Sequence, residues 1–225
     1  MSNHDYICVA GDIHFPFADW DLLREFAKHV KFLRTKKKKL KVVQLGDITD
    51  QKAWSRFTGA SDDMSPDAEW EGAYHDMHRF HDLVPNMEII FGNHDIRQIK
   101  AATEAKIPRQ LIKSLDEVFP FAGWNWHTAN KPLIIDGIMF VHGDEGAGSA
   151  IIKAKNTGMS VVQGHDHQMY LEYIKSCGVT RFGLGGGCMI DQTARAFSYA
   201  AKNPMGCDTG YSIIAKGIPH IYPKL

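Results

Sequence analysis

Short apolar runs alternate with amphipathic segments along the first half of the chain. Residues 6–10, 40–45 and 87–91 are mainly apolar runs of strand length, the pattern of strands that are buried on both faces. Between them, residues 19–34 carry their apolar side chains on one helical face, and the N-cap and proline signals at Ser65 and Pro66 predict a second helix over residues 66–83. Strands that alternate with helices favour parallel pairing.

The second half of the chain is predicted to add helices and antiparallel strands. Asp136-Gly137 separates two apolar runs, which is a strong signal for a two-residue hairpin, and a turn at Lys216-Gly217 divides residues 211–222. Trp124 and Trp126 lie in a connection whose pattern predicts no element. The two halves together predict an α/β fold in which two packed mixed sheets are flanked by helices. Helices are predicted at 97–106, 108–118 and 147–156, and strands at 133–141, 161–163 and 169–174.

Composition and charge are those of an ordinary globular protein. The chain has 225 residues, no formal net charge, 44% hydrophobic residues and 23% charged residues, so we expect a single domain over residues 1–225. The neutral balance argues against broad electrostatic binding to nucleic acid. No apolar run approaches the roughly 18 residues that would cross a bilayer, and the first five residues are too polar for a secretory signal. We therefore expect a cytoplasmic protein with no membrane partner; the oligomeric state is left open.

Five of the apolar runs end in a polar corner that contains glycine, aspartate or histidine. Ligands of α/β sheets gather beyond the carboxyl ends of the strands, so corners that are scattered in sequence can converge in space. The corners lie within residues 9–14, 44–50, 91–95, 140–144 and 162–167.

These corners carry donor atoms that suit one shared metal site. A single Gly-Asp after a strand is usually a turn, and it is the complete set that favours metal binding. Mixed carboxylate, imidazole and amide ligands suit Mn²⁺, Fe or Zn²⁺, and two ions about 3.5–4 Å apart can hold the attacking and leaving oxygens of a phosphoryl displacement. The candidate donors are Asp12, His14, Asp47, Asn93, His94, Asp95, His142, His165 and His167.

The order of these corners resembles the calcineurin-like metallophosphoesterase superfamily. The matching segments are Asp12-x-His14, Gly46-Asp47, Gly92-Asn93-His94-Asp95, His142 and Gly164-His165-x-His167. The resemblance implies a four-layer αββα sandwich with a dinuclear metal centre at the strand ends. It further implies one metal on Asp12, His14 and His167, a second on Asn93, His142 and His165, and Asp47 between them.

The resemblance also implies a mechanism. By that resemblance a hydroxide shared by two metals would attack phosphorus, and His94 would protonate the leaving oxygen while Asp50 or Asp95 orients its ring. Asp144 and Asp166 lie beside candidate ligands and are predicted to accept hydrogen bonds from imidazole N–H groups. Mn²⁺ is the first choice of metal, with Fe and Zn²⁺ as alternatives.

Departures from the protein phosphatase branch of this superfamily bear on the substrate. That branch carries Gly-Asp-x-x-Asp-Arg-Gly, whereas here Asp50 is followed by Gln51-Lys52. An arginine grips a dianionic monoester bidentately, so its absence favours a phosphodiester, either a small molecule or a short nucleic acid. Lys52, Arg56 and Arg97 are possible substitutes, which keeps a phosphomonoesterase as the alternative. The pattern is closer to the diesterase and nuclease branches and to small phage and bacterial phosphoesterases.

A non-catalytic scaffold of the same fold is a third possibility, and it predicts the loss of ligands or of the acid histidine. The chain keeps His94 and all seven ligand positions, which disfavours it. Residues 51–65, with Trp54, Arg56 and Phe57, follow a ligand strand directly. Their aromatic and basic side chains could stack a base, or they could only pack the loop onto the next helix; both interpretations stay open.

Three other clusters are interpreted as ordinary surface or core features. The lysines at 36–39 follow a predicted helix, where cations meet the negative end of its dipole, and this is favoured over a nucleic-acid patch. Residues 75 and 81 diverge on the surface of the second helix, so a polar face is favoured over a further metal site for His75, His78 and His81. No CxxC spacing occurs, so we expect free thiols at Cys8, Cys177, Cys188 and Cys207.

Overall fold

The computed structural model describes residues 3–36, 38–55, 64–128, 131–146, 148–193 and 206–224. Within these ranges the strands form two sheets. In chain order the strands are β1 (Tyr6–Ala10), β2 (Leu40–Gln44), β3 (Met87–Ile90), β4 (Trp124–His127), β5 (Leu133–Ile135), β6 (Ile138–Val141), β7 (Ser160–Gln163), β8 (Met169–Ser176), β9 (Val179–Gly186), β10 (Gly210–Ala215) and β11 (Ile218–Pro223).

Helices and short 3₁₀ turns connect the strands. Asp19 caps the first helix, since its carboxylate accepts hydrogen bonds from the backbone N–H groups of Asp21 and Leu22 at 3.1 Å each. In the part of the chain that the structure describes, no helix combines the length and the apolar character needed to span a membrane. The helices are α1 (Trp20–Thr35), α2 (Pro66–Leu83), α3 (Arg97–Glu104), α4 (Leu115–Val118) and α5 (Ala150–Thr157), and the 3₁₀ turns are Lys52–Trp54 and Arg109–Leu111.

Both sheets are mixed. The first has the strand order β11-β10-β1-β2-β3-β4, in which β1 to β4 pair in parallel and β10 and β11 add antiparallel strands. The second has the order β5-β6-β7-β9-β8, with parallel pairing at its centre and antiparallel pairs at both edges. The parallel strands therefore end at one edge of each sheet, which is where the polar corners follow.

Alternate residues of the central strands face different layers. Val9 of β1 packs with Val43, Phe140 and Leu184 in an apolar cluster that contains residues of both sheets. Its neighbour Cys8 belongs instead to a cluster with residues of α1 and α2, because successive side chains of a strand point to opposite faces. A third cluster joins α5 to β6 and β7. These contacts confirm the predicted α/β fold of two packed mixed sheets with flanking helices.

Two elements differ from the sequence expectation, and a glycine-rich stretch without a sequence prediction falls in a strand. Residues 108–118 are not one helix, because a 3₁₀ turn is followed by α4, which starts at a capping box between Ser114 and Glu117. The unassigned segment with Trp124 and Trp126 is β4, which pairs in parallel with β3. The glycine-rich stretch at 183–186 is part of β9: a Cβ at Gly183 would lie 2.2 Å from the backbone N of Ile151, so glycine is what lets α5 pack directly on this strand.

The cluster between the sheets makes a stability prediction. Phe140 is fully buried there, so Phe140→Ala should lower the free energy of unfolding by about 3–5 kcal/mol through lost burial and a residual cavity. Ile134, on the adjacent strand β5, is 53% exposed, and Ile134→Ala should change stability by no more than about 0.5 kcal/mol. Urea unfolding of both variants measures this, and equal losses would contradict the assignment of the core.

Candidate metal centre

Every residue of the predicted site lies just beyond the carboxyl end of a strand. The corners after β1, β2 and β3 belong to the first sheet, and the corners after β6 and β7 belong to the second. The site therefore lies where the two sheets meet, and each sheet carries part of the donor set. The residues at these ends are Asp12, His14, Asp47, Asp50, Asn93, His94, Asp95, His142, His165 and His167.

One group of potential ligands consists of Asp12, His14 and His167. One donor atom from each lies within 4.8 Å of the others, and Nε2 of His167 is 3.7 Å from Oδ1 of Asp12. The Asp12 carboxylate also accepts hydrogen bonds from the backbone N–H of His165, at 3.1 and 3.0 Å. Complete burial raises the pKa of Asp12 to about 7. A nearby positive charge would stabilise such a buried carboxylate as an anion.

A second group consists of Asp47, His142 and His165, again with donor atoms within 4.8 Å of one another. His142 donates from Nδ1 to the carbonyl oxygen of Leu45 at 3.0 Å. This leaves Nε2 facing Asp47 Oδ2 at 3.3 Å and Asn93 Oδ1 at 2.9 Å. Burial by itself would lower the pKa of His142, but the Asp47 carboxylate outweighs it and raises that pKa to about 10. A carbonyl that fixes one ring nitrogen is the usual support of a metal-binding histidine.

Asp47 lies between the two groups. Its Oδ2 is 3.8 Å from Nε2 of His14, 3.8 Å from Nε2 of His94 and 3.3 Å from Nε2 of His142. Burial opposes ionisation, yet the surrounding imidazoles hold the pKa of Asp47 well below its usual range. Carboxylates and imidazoles that converge in this way are the ligands of Mn²⁺, Fe or Zn²⁺, so the residues present fit two metal ions.

The corners turn through a backbone conformation that is rare for residues with a side chain. A non-glycine residue with positive φ is uncommon and is typical of functional sites. At these corners the left-handed backbone turns the donor side chains toward the space between the strand ends. The residues concerned are Asp12, His14, Asp47, His165 and His167, with φ of 22°, 55°, 52°, 72° and 55°.

Gly92 allows the β2 and β3 corners to approach each other. A Cβ built at this position would lie 2.1 Å from Asp47 Oδ1 and 2.2 Å from the backbone N of Asp47. The same Oδ1 accepts a hydrogen bond from the backbone N–H of His94 at 2.8 Å. The position of Asp47 therefore depends on the missing side chain at residue 92.

His94 is held between Asp50 and Arg97. Its Nδ1 donates to the backbone oxygen of Asp50 at 2.8 Å and to Asp50 Oδ1 at 3.0 Å, and Arg97 Nη2 donates to its Nε2 at 2.8 Å. Asp50 Oδ1 is also 2.9 Å from Nδ1 of His14. Burial lowers the pKa of His94, but the carboxylates of Asp47 and Asp50 outweigh it, so that the pKa is raised overall.

Asp95 is one of the two carboxylates expected to orient His94, and its side chain has a different set of contacts. Oδ1 accepts from the backbone N–H and the hydroxyl of Thr49 at 3.0 and 3.1 Å, and Oδ2 accepts from the backbone N–H groups of Gly92 and Ile48 at 2.9 and 3.3 Å. Burial raises the pKa of Asp95 to about 6. Asp50 therefore contacts the His94 ring, while Asp95 joins the backbones of the β2 and β3 corners.

Sequence reasoning missed the contact between Cys207 and His167. Cys207 Sγ lies 3.7 Å from His167 Nδ1, and Cys188 completes a group with donor atoms within 4.8 Å. The two cysteines are far apart in sequence and lack a CxxC spacing, so only the folded chain brings them together. All four cysteines are free thiols, as expected. Asp166, expected beside a ligand imidazole, accepts from the backbone N–H of Gln168 at 3.2 Å, as in a turn.

Other predicted features lie outside this cluster. His81 stacks on Phe121 with ring centroids 4.4 Å apart, and His78 contacts the same ring edge-on at 4.8 Å. Among the described residues, no group of potential metal ligands contains His75, His78 or His81. Arg56, Phe57 and Lys37 lie outside the described residues.

Comparison with known proteins identifies one family. A model of the calcineurin-like phosphoesterases matches residues 6–169, which is more than half of the chain. The structure of an NAD nucleotidase from Haemophilus influenzae is similar over 98% of this chain and 50% of its own, with 13% identity and a TM-score of 0.41. The chain thus spans about half the length of that protein. None of the curated proteins matches.

The contact at Gly92 makes a prediction about the site. Gly92→Ala should lower the free energy of unfolding by about 2 kcal/mol or more, because the new methyl group overlaps Asp47 and the backbone has to move. Gly158→Ala is the matched control: it has φ of 70° but open space around its Cβ, and should cost about 1 kcal/mol. Thermal and urea unfolding compare the two, and a smaller loss at Gly92 would contradict the close approach.

Proposed function

The chain belongs to the calcineurin-like phosphoesterase family, and from this premise we propose that it is a phosphodiesterase acting on small phosphodiesters or short nucleic acids. Family membership and the clustered His and Asp side chains make it a metal-dependent phosphoric ester hydrolase. The preference for a diester rests on one observation: both Nη atoms of Arg97 donate hydrogen bonds to acceptors of the protein itself.

Arg97 is the guanidinium that faces His94. Its Nη1 donates to the backbone oxygen of Asp50 at 2.9 Å and its Nη2 donates to His94 Nε2 at 2.8 Å. A dianionic monoester is best held by a guanidinium that offers two parallel donors. A diester carries one charge and needs less compensation, so a guanidinium that keeps one protein contact is sufficient for it.

The metal ligands are proposed on the geometry of the two donor groups. One ion would be held by Asp12, His14 and His167, and the other by Asn93, His142 and His165, with Asp47 shared between them. Mn²⁺ is the first choice of metal, and Fe or Zn²⁺ are the alternatives. When bound, such ions supply a water of lowered pKa and offset charge on the phosphoryl oxygens.

His94 is the proposed general acid for the leaving oxygen. Asp50 accepts from Nδ1 and so fixes the tautomer and the ring plane. A protonated Nε2 and a guanidinium both donate, so the acid form of His94 requires Arg97 to turn to another acceptor. A nonbridging phosphoryl oxygen of the substrate is such an acceptor. Substrate binding would then free Nε2 for the proton that it transfers.

A phosphomonoesterase is the second candidate, and Arg97 is also the observation that favours it. Once released from both His94 and the backbone oxygen of Asp50, the guanidinium can offer two donors to a terminal phosphate, and Lys100 lies on the next turn of α3. A non-catalytic scaffold has no such support, because His94 and all seven proposed ligands are present and converge.

The diesterase proposal is tested by steady-state hydrolysis after reconstitution with Mn²⁺. We expect kcat/KM for bis-p-nitrophenyl phosphate to exceed that for p-nitrophenyl phosphate by roughly tenfold or more, which is a difference of about 1.4 kcal/mol in transition-state stabilisation. Both activities should disappear after chelation and return with added metal. A higher kcat/KM on the monoester would make the phosphomonoesterase the leading function, and metal binding without turnover of either substrate would favour the scaffold.

The acid role of His94 predicts a dependence on the leaving group. His94→Ala should keep both metal ions. Its kcat should fall by about 10²-fold or more on diesters whose leaving group is a poorly acidic alcohol, and much less on p-nitrophenyl esters, because p-nitrophenolate leaves without protonation. His75→Ala, at an exposed histidine of α2, is the control and should leave both rates unchanged. Metal content is measured alongside. Equal losses on both kinds of ester would exclude the acid role.

A further inference from the structure

A cavity of about 410 Å³ opens beside the proposed metal centre. It lies between the 3₁₀ turn Lys52–Trp54 and the exposed face of α3, and Asn93 reaches it from the metal side. The side chains of Trp54, Arg97 and Lys100 also line it. The proposed metal ligands and the proposed acid include neither Trp54 nor Lys100.

Trp54 offers an aromatic surface to this cavity. Trp54 is 54% exposed. Exposing an indole face is unfavourable because water must hydrate an apolar ring. Exposed aromatic faces are typical of sites where a planar group stacks. A single exposed aromatic is in itself ordinary on a protein surface, so the support of the turn that carries it matters.

The turn that carries Trp54 is anchored on both sides. The largely buried carboxylate of Glu69 in α2 accepts hydrogen bonds from the backbone N–H groups of Lys52 and Ala53 at 2.6 and 3.0 Å. Gln51, which has φ of 50°, donates to the backbone oxygen of Asp95 at 3.3 Å and accepts from the backbone N–H of Gln98 at 3.3 Å. The backbone that presents the indole is thereby tied to α2, to α3 and to the metal-site corner, which is the pre-organisation that a binding surface needs.

Two cations line the same cavity, together with the carboxylate of Glu104. Arg97 and Lys100 lie one turn apart on α3 and therefore share a face of the helix. Arg97 contacts His94, the proposed acid, and would therefore meet the reacting phosphate, while Lys100 lies one turn further along α3. An aromatic surface together with cations beside a phosphoryl site is the combination that binds nucleotides, since the base stacks and the phosphates pair with the cations.

We propose that this cavity binds the nucleoside part of the substrate, with the base stacked on Trp54, the reacting phosphate at Arg97 and a neighbouring phosphate at Lys100. The substrates are then nucleotidyl phosphodiesters, and short single-stranded oligonucleotides extend from the same cavity. This inference rests on the proposed phosphodiesterase function for its consequence in catalysis, but the binding site itself can be measured without turnover.

The binding test compares adenosine 5′-monophosphate with ribose 5-phosphate, which share a phosphate and a sugar and differ in the base. Calorimetric titration of the Mn²⁺-reconstituted protein, with released phosphate measured in the same samples, should give a Kd roughly 5- to 150-fold lower for the nucleotide, the range expected for one base stacked on an aromatic side chain. Trp54→Ala should abolish this ratio and Trp54→Phe should retain most of it. Tyr173→Ala, at an aromatic of β8 that is 56% exposed, should keep the wild-type ratio.

Lys100→Gln separates the charge from the stacking. The substitution should raise the Kd of a dinucleotide with two phosphates several-fold more than the Kd of adenosine 5′-monophosphate. It should leave the ratio of the Kd values of adenosine 5′-monophosphate and ribose 5-phosphate unchanged. Equal Kd values for these two ligands in the wild type, no measurable nucleotide binding, or a ratio that survives in Trp54→Ala would each overturn the proposal.

Hydrolysis distinguishes a failure of this site from a failure of the phosphodiesterase proposal. Thymidine 5′-p-nitrophenyl phosphate and methyl p-nitrophenyl phosphate share a leaving group, and wild-type kcat/KM should be about tenfold or more higher for the nucleotide ester, with the ratio close to one in Trp54→Ala. If both esters are cleaved at equal rates, the diesterase stands and the nucleoside site is excluded. If neither is cleaved while the calorimetric ratio depends on Trp54, the nucleoside site stands and the diesterase is excluded.

Discussion

The structure of the site depends on one buried carboxylate. Asp47 ionises in a place where burial opposes it, and it does so because imidazole nitrogens from both sheets surround Oδ2. Removing one partner of such a buried set leaves an uncompensated charge, which costs far more than the same contact on a surface. The rest of the centre can therefore be understood as support for Asp47. Gly92 makes room for its carboxylate, and Asp95 holds the two corners together through backbone donors.

The need to bring donor groups to one point also explains why strained backbone conformations occur at the strand ends. A strand that continued regularly would alternate its side chains between the two faces of a sheet, and the donors would point away from one another. The left-handed residues at the ends of β1, β2 and β7 break this alternation and turn successive donors toward a common point. Each such residue is locally unfavourable. The close packing of two sheets behind the corners supplies the stability that tolerates them, as shown by the fully buried side chains of Val9, Val43 and Phe140.

Much of this could be predicted from the sequence because the relevant signals are local. Each donor group follows an apolar run directly, and the periodicity of α1 and the Ser65-Pro66 start of α2 can be seen without any tertiary information. What could not be predicted depends on contacts between distant segments. The strand at Trp124 exists because β3 offers it an edge, and α4 begins where Ser114 and Glu117 cap each other rather than at Pro108. The contact of Cys207 with His167 and the choice of Asp50 over Asp95 as the partner of His94 are likewise visible only in three dimensions.

The division of the donor set between two sheets has a consequence for how the chain folds. The backbone N–H of His165 reaches the carboxylate of Asp12 across 153 positions of sequence, and such a distant pair meets only after the intervening chain has been ordered, because loop closure opposes it until then. A partly folded chain that has built only the first sheet lacks the imidazoles of His142, His165 and His167, which follow strands of the second sheet. A cation then meets an incomplete ligand set before the sheets dock, so it binds the native state more tightly than the partly folded chain. The free concentration of the cation therefore contributes to the free energy of unfolding of the protein.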